Sequence, residues 1–161
     1  MTGQFFEDVR VGQELPRLKK GPLSPAHIMR WSAACENWHR IHYDHVFATE
    51  HDKLPGLMVN GSWKQNVIVQ LMTDWAGEKG WLWKVKFEFR AMNVPGETLY
   101  AWGKVSALED AGIYGLVTLE TGLVNQHGIE STPGTATVVL ARRGGPTVPY
   151  PFDPAVVHAV T

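Results

Sequence analysis

Between Trp63 and Trp75, large apolar side chains return at every fourth position: Trp63, Val67, Leu71 and Trp75. Ile68 and Met72 widen the stripe, and the spacing predicts a long helix buried on a broad face. Asn60 is the expected cap and Gly77 the expected stop. An earlier helix is predicted from Ser24, whose hydroxyl can cap free amides, with Pro25 at the first helical position. Ile28, Trp31 and Cys35 give that helix a face to bury. Past Gly77 the period changes to two. Trp81, Trp83, Val85, Phe87 and Phe89 alternate with Leu82, Lys84, Lys86, Glu88 and Arg90, which predicts a strand with one apolar face. Asn93–Glu97 reads as a turn. Three further strands are expected over Thr98–Leu108, Tyr114–Asn125 and Thr135–Arg142, separated by turns at Glu109–Gly112 and Gln126–Gly128. Phe5–Leu15 reads as a short extended lead-in, and Gly21–Leu23 as a loop.

Helices early and antiparallel strands late make an α+β domain, with one long apolar helix free to lie on the sheet. The single domain is expected to span 1–143, and the Gly/Pro-rich 144–161 to form an irregular tail. A sheet curled around one helix leaves an edge exposed, and pairing with a second copy is the expected remedy.

With 161 residues, 44% hydrophobic and 19% charged, the chain can bury one core. A formal charge of −1 leaves no electrostatic footprint for nucleic acid or an anionic membrane. Cys35 is the single cysteine, so no intrachain disulfide can form, and a reduced, cytoplasmic setting is expected. Met1–Asp8 lacks the basic-then-apolar pattern of a signal peptide. No apolar run is long enough to span a bilayer.

Candidate chemistry is concentrated in Glu36–His45, which holds Glu36, Asn37, His39, Arg40, His42, Asp44 and His45. A histidine there titrates near neutral and can serve as a general base. The same stretch can be read as a metal site, because His39, His42, Asp44 and His45 all have ligand side chains; its spacing fits no zinc signature. Plainer readings stand beside these. His39 and His45 can be solvated, Trp38 and Tyr43 can be packing residues, and Asp44 can cap a short helix over Val46–Ala48. Gly61, at the start of the long helix, offers a free amide where the helix dipole favours negative charge.

Three segments resemble the MaoC-like family of enoyl-thioester hydratases and dehydratases. Phe6–Leu15 resembles its lead-in. Ile41-His42-Tyr43-Asp44, followed by Phe47-Ala48, resembles the core of its motif Asp-x-Asn-Pro-x-His-x-Asp. Leu54-Pro55-Gly56, Asn60-Gly61, Phe89-Arg90 and Val94–Leu99 resemble the start of its central helix and the strands after it. The likeness covers about residues 5–141. It implies a hot-dog fold, in which a curved antiparallel sheet wraps one central helix, and a dimer of such units. It implies syn addition of water to a 2-enoyl thioester of CoA or a carrier protein, or the reverse, with no cofactor beyond the thioester's own CoA. His42 matches the family's base. Asn37 stands where the family has its catalytic Asp, His39-Arg40 where it has Asn-Pro, and Asn60 where it usually has His. The implied roles are His42 as base, Asn37 as orienter of water or carbonyl, and Gly61 as amide donor. His39, Asn60 and Asn66 are weaker candidates for substrate contacts, and Glu36 or His39 could replace the missing carboxylate. A non-catalytic subunit paired with an active paralogue, and a thioesterase, remain open alternatives.

Overall fold

The computed structural model describes residues 4–153 and 155. Its centre is helix α2, Gly61–Ala76, which buries Val67, Ile68, Leu71, Met72, Trp75 and Ala76. Those side chains pack against Ala101, Val105, Val117, Leu119, Leu123, Ala136, Val138 and Leu140, which all point inward from one sheet. The sheet is antiparallel, with strand order β1-β3-β4-β5-β2. The strands are β1 (Leu18–Lys20), β2 (Gly80–Phe87), β3 (Leu99–Ala111), β4 (Tyr114–Asn125) and β5 (Glu130–Ala141). One helix on one antiparallel sheet is the hot-dog arrangement. Among the described residues, no helix is long and apolar enough to cross a membrane.

The long helix, the first helix, three long strands and their turns stand close to where periodicity places them. Helix α1 covers Pro25–Ala34, with the Ser24 hydroxyl accepting from the His27 amide. Its buried residues are Ile28 and Ser32; Cys35, expected on the buried face, is exposed. A hydroxyl takes that place because it has a hydrogen-bonding task there, described below.

One strand was not foreseen, and three local expectations need correcting. Leu18–Lys20 forms β1 against Leu99–Ala101, a three-residue strand with two lysines and too short to show a period. The lead-in is broken by a 3-10 turn at Phe6–Asp8. The strand predicted over Trp81–Arg90 stops at Phe87, and its alternation is interrupted. Leu82 pairs with Val138 and Lys84 with Thr137, so Trp83 is an extra residue and the sides exchange there. Leu82, Val85 and Phe87 therefore meet the core, while Trp81 and Trp83 point to the other face. Finally, β5 begins at Glu130, well before Thr135. Pro133 pairs with Gly122 of β4 and is tolerated because its missing N–H faces the side on which β2 has just ended at Phe87, where its carbonyl still accepts from the Glu88 amide at 3.0 Å.

Beyond Arg143 the chain has no helix or strand through Asp153, yet it does not leave the body. Phe152 is buried among Tyr114, Leu116 and Val139 on the outer face, with its ring 5.4 Å from that of Trp83. The rest of the expected tail, residue 154 and residues 156–161, lies outside the described residues, as do residues 1–3 of the expected domain.

Candidate functional site

Two hydrogen bonds stitch the histidine-rich turn to the segment leading into α2. The Met58 amide donates to the Ile41 carbonyl (2.9 Å), and the Met58 carbonyl lies 2.8 Å from His42 Nδ1. A carbonyl only accepts, so Nδ1 carries the proton and Nε2 keeps its lone pair free. His42 is 7% exposed. Burial pushes its pKa below the ordinary histidine value; the bond to Met58 opposes this, and His39 adds to it. The imidazole is thus neutral and basic at Nε2 near pH 7. Met58 lies three positions before Gly61, so the same pair of bonds sets His42 beside the start of α2.

A second knot is centred on Ser32, which is fully buried. Its carbonyl accepts from the Asn37 amide at 2.8 Å. Its hydroxyl accepts from Asn60 Nδ2 at 3.0 Å and donates to Asn60 Oδ1 at 3.4 Å. Asn60 was expected to cap α2 with its side chain. It does occupy the cap position, but its side chain makes no capping bond and turns to Ser32 instead. The leading amides of α2, Gly61 among them, are left without an intrahelical acceptor. Ser32→Ala would strand the buried Asn60 amide, and should cost about 1–3 kcal/mol in urea unfolding. An unchanged midpoint would show that the knot does not hold the two segments together.

The other candidates separate clearly. Asn37 is half-buried, and its Oδ1 accepts from the His39 amide at 3.3 Å. The His39 ring stands edge-on to that of His42, with 6.1 Å between centroids, although His39 itself is exposed. Glu36 is exposed at the end of α1 with φ +52°. Of the two substitutes for a missing carboxylate, only His39 is brought to His42. Asn66 lies on the exposed side of α2. Gly61 stays close to its strand-side neighbour, since a Cβ there would come within 2.9 Å of the Phe89 ring. His45 is exposed. Asp44 accepts from the Phe47 amide at 2.9 Å and from Arg40 at 2.6 Å, and these bonds hold its carboxyl below the usual range. Its capping role is therefore the observed one. Among the described residues no three His, Cys, Asp or Glu side chains converge as a set that could hold a metal ion.

One residue escaped the sequence reading. Lys64, one turn into α2, is 3% exposed; Nζ donates to the Ala91 carbonyl at 2.9 Å and sits 5.2 Å from the centre of the Phe89 ring. Burial lowers its pKa to about 8, against an opposing pull from Glu97. Its position on the Ile68–Trp75 stripe was the available signal. Because the unfolded chain keeps that proton to higher pH, stability should rise between about pH 8 and 10.5. Lys64→Met should flatten that rise in denaturation curves taken across the window; an identical rise would clear Lys64 of causing it.

A sequence profile of the hydroxyacyl-thioester dehydratase type 2 family matches residues 11–98, more than half of the chain. The chain belongs to that family. Its hot-dog fold is shared with solved MaoC-like proteins. The (R)-hydratase from A. caviae involved in PHA biosynthesis aligns with TM-score 0.73 at 23% identity, covering 82% of this chain and 97% of that one. A MaoC-like dehydratase from Rhodospirillum rubrum gives TM-score 0.75 at 22% identity, covering 88% and 99%. The ChsH1-ChsH2 complex from Mycobacterium tuberculosis gives 0.71 at 21%, covering 81% and 98%. The search of curated proteins found no match. In this dehydratase family member, the matched span runs from the lead-in to the start of β3 and takes in both knots of the site.

Proposed function

We propose that this family member hydrates 2-enoyl thioesters, or dehydrates 3-hydroxyacyl thioesters, with His42 as the base and CoA as the thioester handle. The observation that carries the reading is the buried, neutral His42 with Nδ1 held by Met58 and Nε2 free. In hydration, Nε2 takes a proton from water as the oxygen adds to the β carbon. The Gly61 amide at the helix start stabilises the negative charge developing on the thioester oxygen. The imidazolium then delivers that proton to the α carbon, so that water adds across the double bond; in the reverse direction Nε2 removes the α proton and gives it to the departing hydroxyl. Asn37 orients the water or the carbonyl through its amide but cannot relay the proton. His39 is the secondary contact and the exposed Asn66 a weaker one, while Asn60, buried against Ser32, serves by fixing the entry to α2. The protein requires no cofactor in this reading, and the cytoplasm is its expected setting. The test is a panel of 2-enoyl-CoA esters of increasing length, followed through loss of enoyl absorbance. Hydration of none of them, by protein that binds the esters, would remove the reading.

A second reading is a non-catalytic subunit paired with a paralogue that keeps both Asp and His. It is favoured by Asn37 Oδ1 already being engaged by the His39 amide. Either form of pairing has the outer edge of β2 open to it, beside which no strand lies among the described residues, although the exposed Lys84 and Lys86 guard that edge against indiscriminate pairing. Inactivity alone, with activity restored by a co-purifying hot-dog chain, would favour this second reading. Release of free CoA would mark a thioesterase instead.

A further inference from the structure

On the flank of α2 that faces β1, opposite the Phe89 side, lies a groove of about 390 Å³ that the proposed chemistry does not use. Trp63 of α2 and Trp31 of α1 wall it, and Lys20, His27 and Arg30 stand around it. No acidic side chain lines it. Among the described residues neither the two cations, Lys20 and Arg30, nor His27 makes a salt bridge, in a chain whose net charge is −1. The donors are set, too. The Ser24 amide donates to His27 Nδ1 at 3.1 Å, so the ring's proton sits on Nε2. Trp31 Nε1 donates to Ser62 Oγ at 2.9 Å, which satisfies the indole's polar edge and leaves its faces apolar. The groove therefore offers flat apolar walls together with unpaired donors and no competing acceptor.

We propose that this groove binds a planar apolar group that carries a carboxylate. The ring system lies along Trp31 and Trp63, and the carboxylate meets Arg30, whose fork can grip both oxygens, with Lys20 and His27 adding donors. Two sources share this chemistry: a free aromatic acid, or the distal end of an acyl group. The second source rests on the proposed function. It is geometrically natural, because Ser62 and Trp63 directly follow Gly61 on the first turn of α2. An acyl group whose carbonyl meets that turn could extend along it into the groove.

Calorimetric titration of the full chain with 2-naphthoate and with 2-naphthamide tests the groove itself. The acid should bind roughly tenfold or more tighter than the neutral amide, and Arg30→Gln should weaken the acid by a similar factor. Equal binding of acid and amide, an unchanged affinity in Arg30→Gln, or no binding of the acid would each overturn the proposal. A second arm finds the source. It compares kcat/KM for aryl enoyl-CoA esters with and without a distal carboxylate. If Arg30→Gln lowers the preference for the carboxylated ester about tenfold, the acyl group is the occupant. An unaltered preference beside intact naphthoate binding assigns the groove to a free acid. If neither ester is hydrated, the proposed function fails while the titration still decides the groove.

Discussion

Asn37→Asp is expected to raise the rate of 2-enoyl-CoA hydration by roughly 10²–10⁴-fold, the usual worth of a positioned general acid or base. The backbone at this position is fixed by the bond to the Ser32 carbonyl, and the side-chain oxygen already accepts from the His39 amide. A carboxylate of the same shape can keep that bond with one oxygen and offer the other to a proton. His42 has no acid among the neighbours that shift its titration, so the variant would supply what the site lacks. Initial rates at saturating substrate would check this. A variant no faster than the parent would mean that His39, or a group on a partner, already does the work. A parent with no activity and an active variant would identify the natural chain as the non-catalytic form.

The second large effect is the loss on removing the base. His42→Gln should cut hydration by roughly 10²–10⁴-fold while keeping a donor for the Met58 carbonyl, which separates chemistry from folding. The parent's rate should also carry the imidazole's signature. With the pKa held below 6.5 by burial, activity should be flat around neutrality and fall as pH drops through that lowered value. The sign follows from the mechanism, since only the unprotonated Nε2 can accept a proton. His42→Gln should erase the acid limb. An acid limb that survives the substitution would assign it to another group.

Much of this was legible in the chain because a single period governs each long element. The stripe from Val67 to Trp75 and the runs that became β3 and β4 bury side chains on one helical face or one sheet face, and sequence spacing reports that directly. Elsewhere the deciding force was a contact between distant residues. Asn60 gives up its capping bond for Ser32, a partner on another helix. Trp81 and Trp83 part from Val85 and Phe87 because a bulge shifts the register of β2 against β5, which no local pattern announces. Lys64 stands one turn before Ile68 on the apolar stripe, and only the loop carrying Ala91 shows how its charge can be buried there. At the site, the dense stretch of histidines and acids resolved into individual tasks. His42 turns inward, His39 stands beside it, Asp44 caps a turn, and His45 faces water. The resemblance singled out His42, but the choice of its basic nitrogen needed the Met58 carbonyl, which the sequence does not reveal.

The burial of Phe152 beside Trp83 and Tyr114 bears on how the protein can be handled and how it can assemble. Shortening the chain at Arg143 would bare two tryptophans and a tyrosine on the convex side of the sheet, an oily surface prone to self-adhesion. Such a fragment is expected to precipitate even with an intact core and His42 turn. While that segment stays in place, it fills ground on which another sheet could otherwise be laid, and back-to-back stacking would have to displace it first.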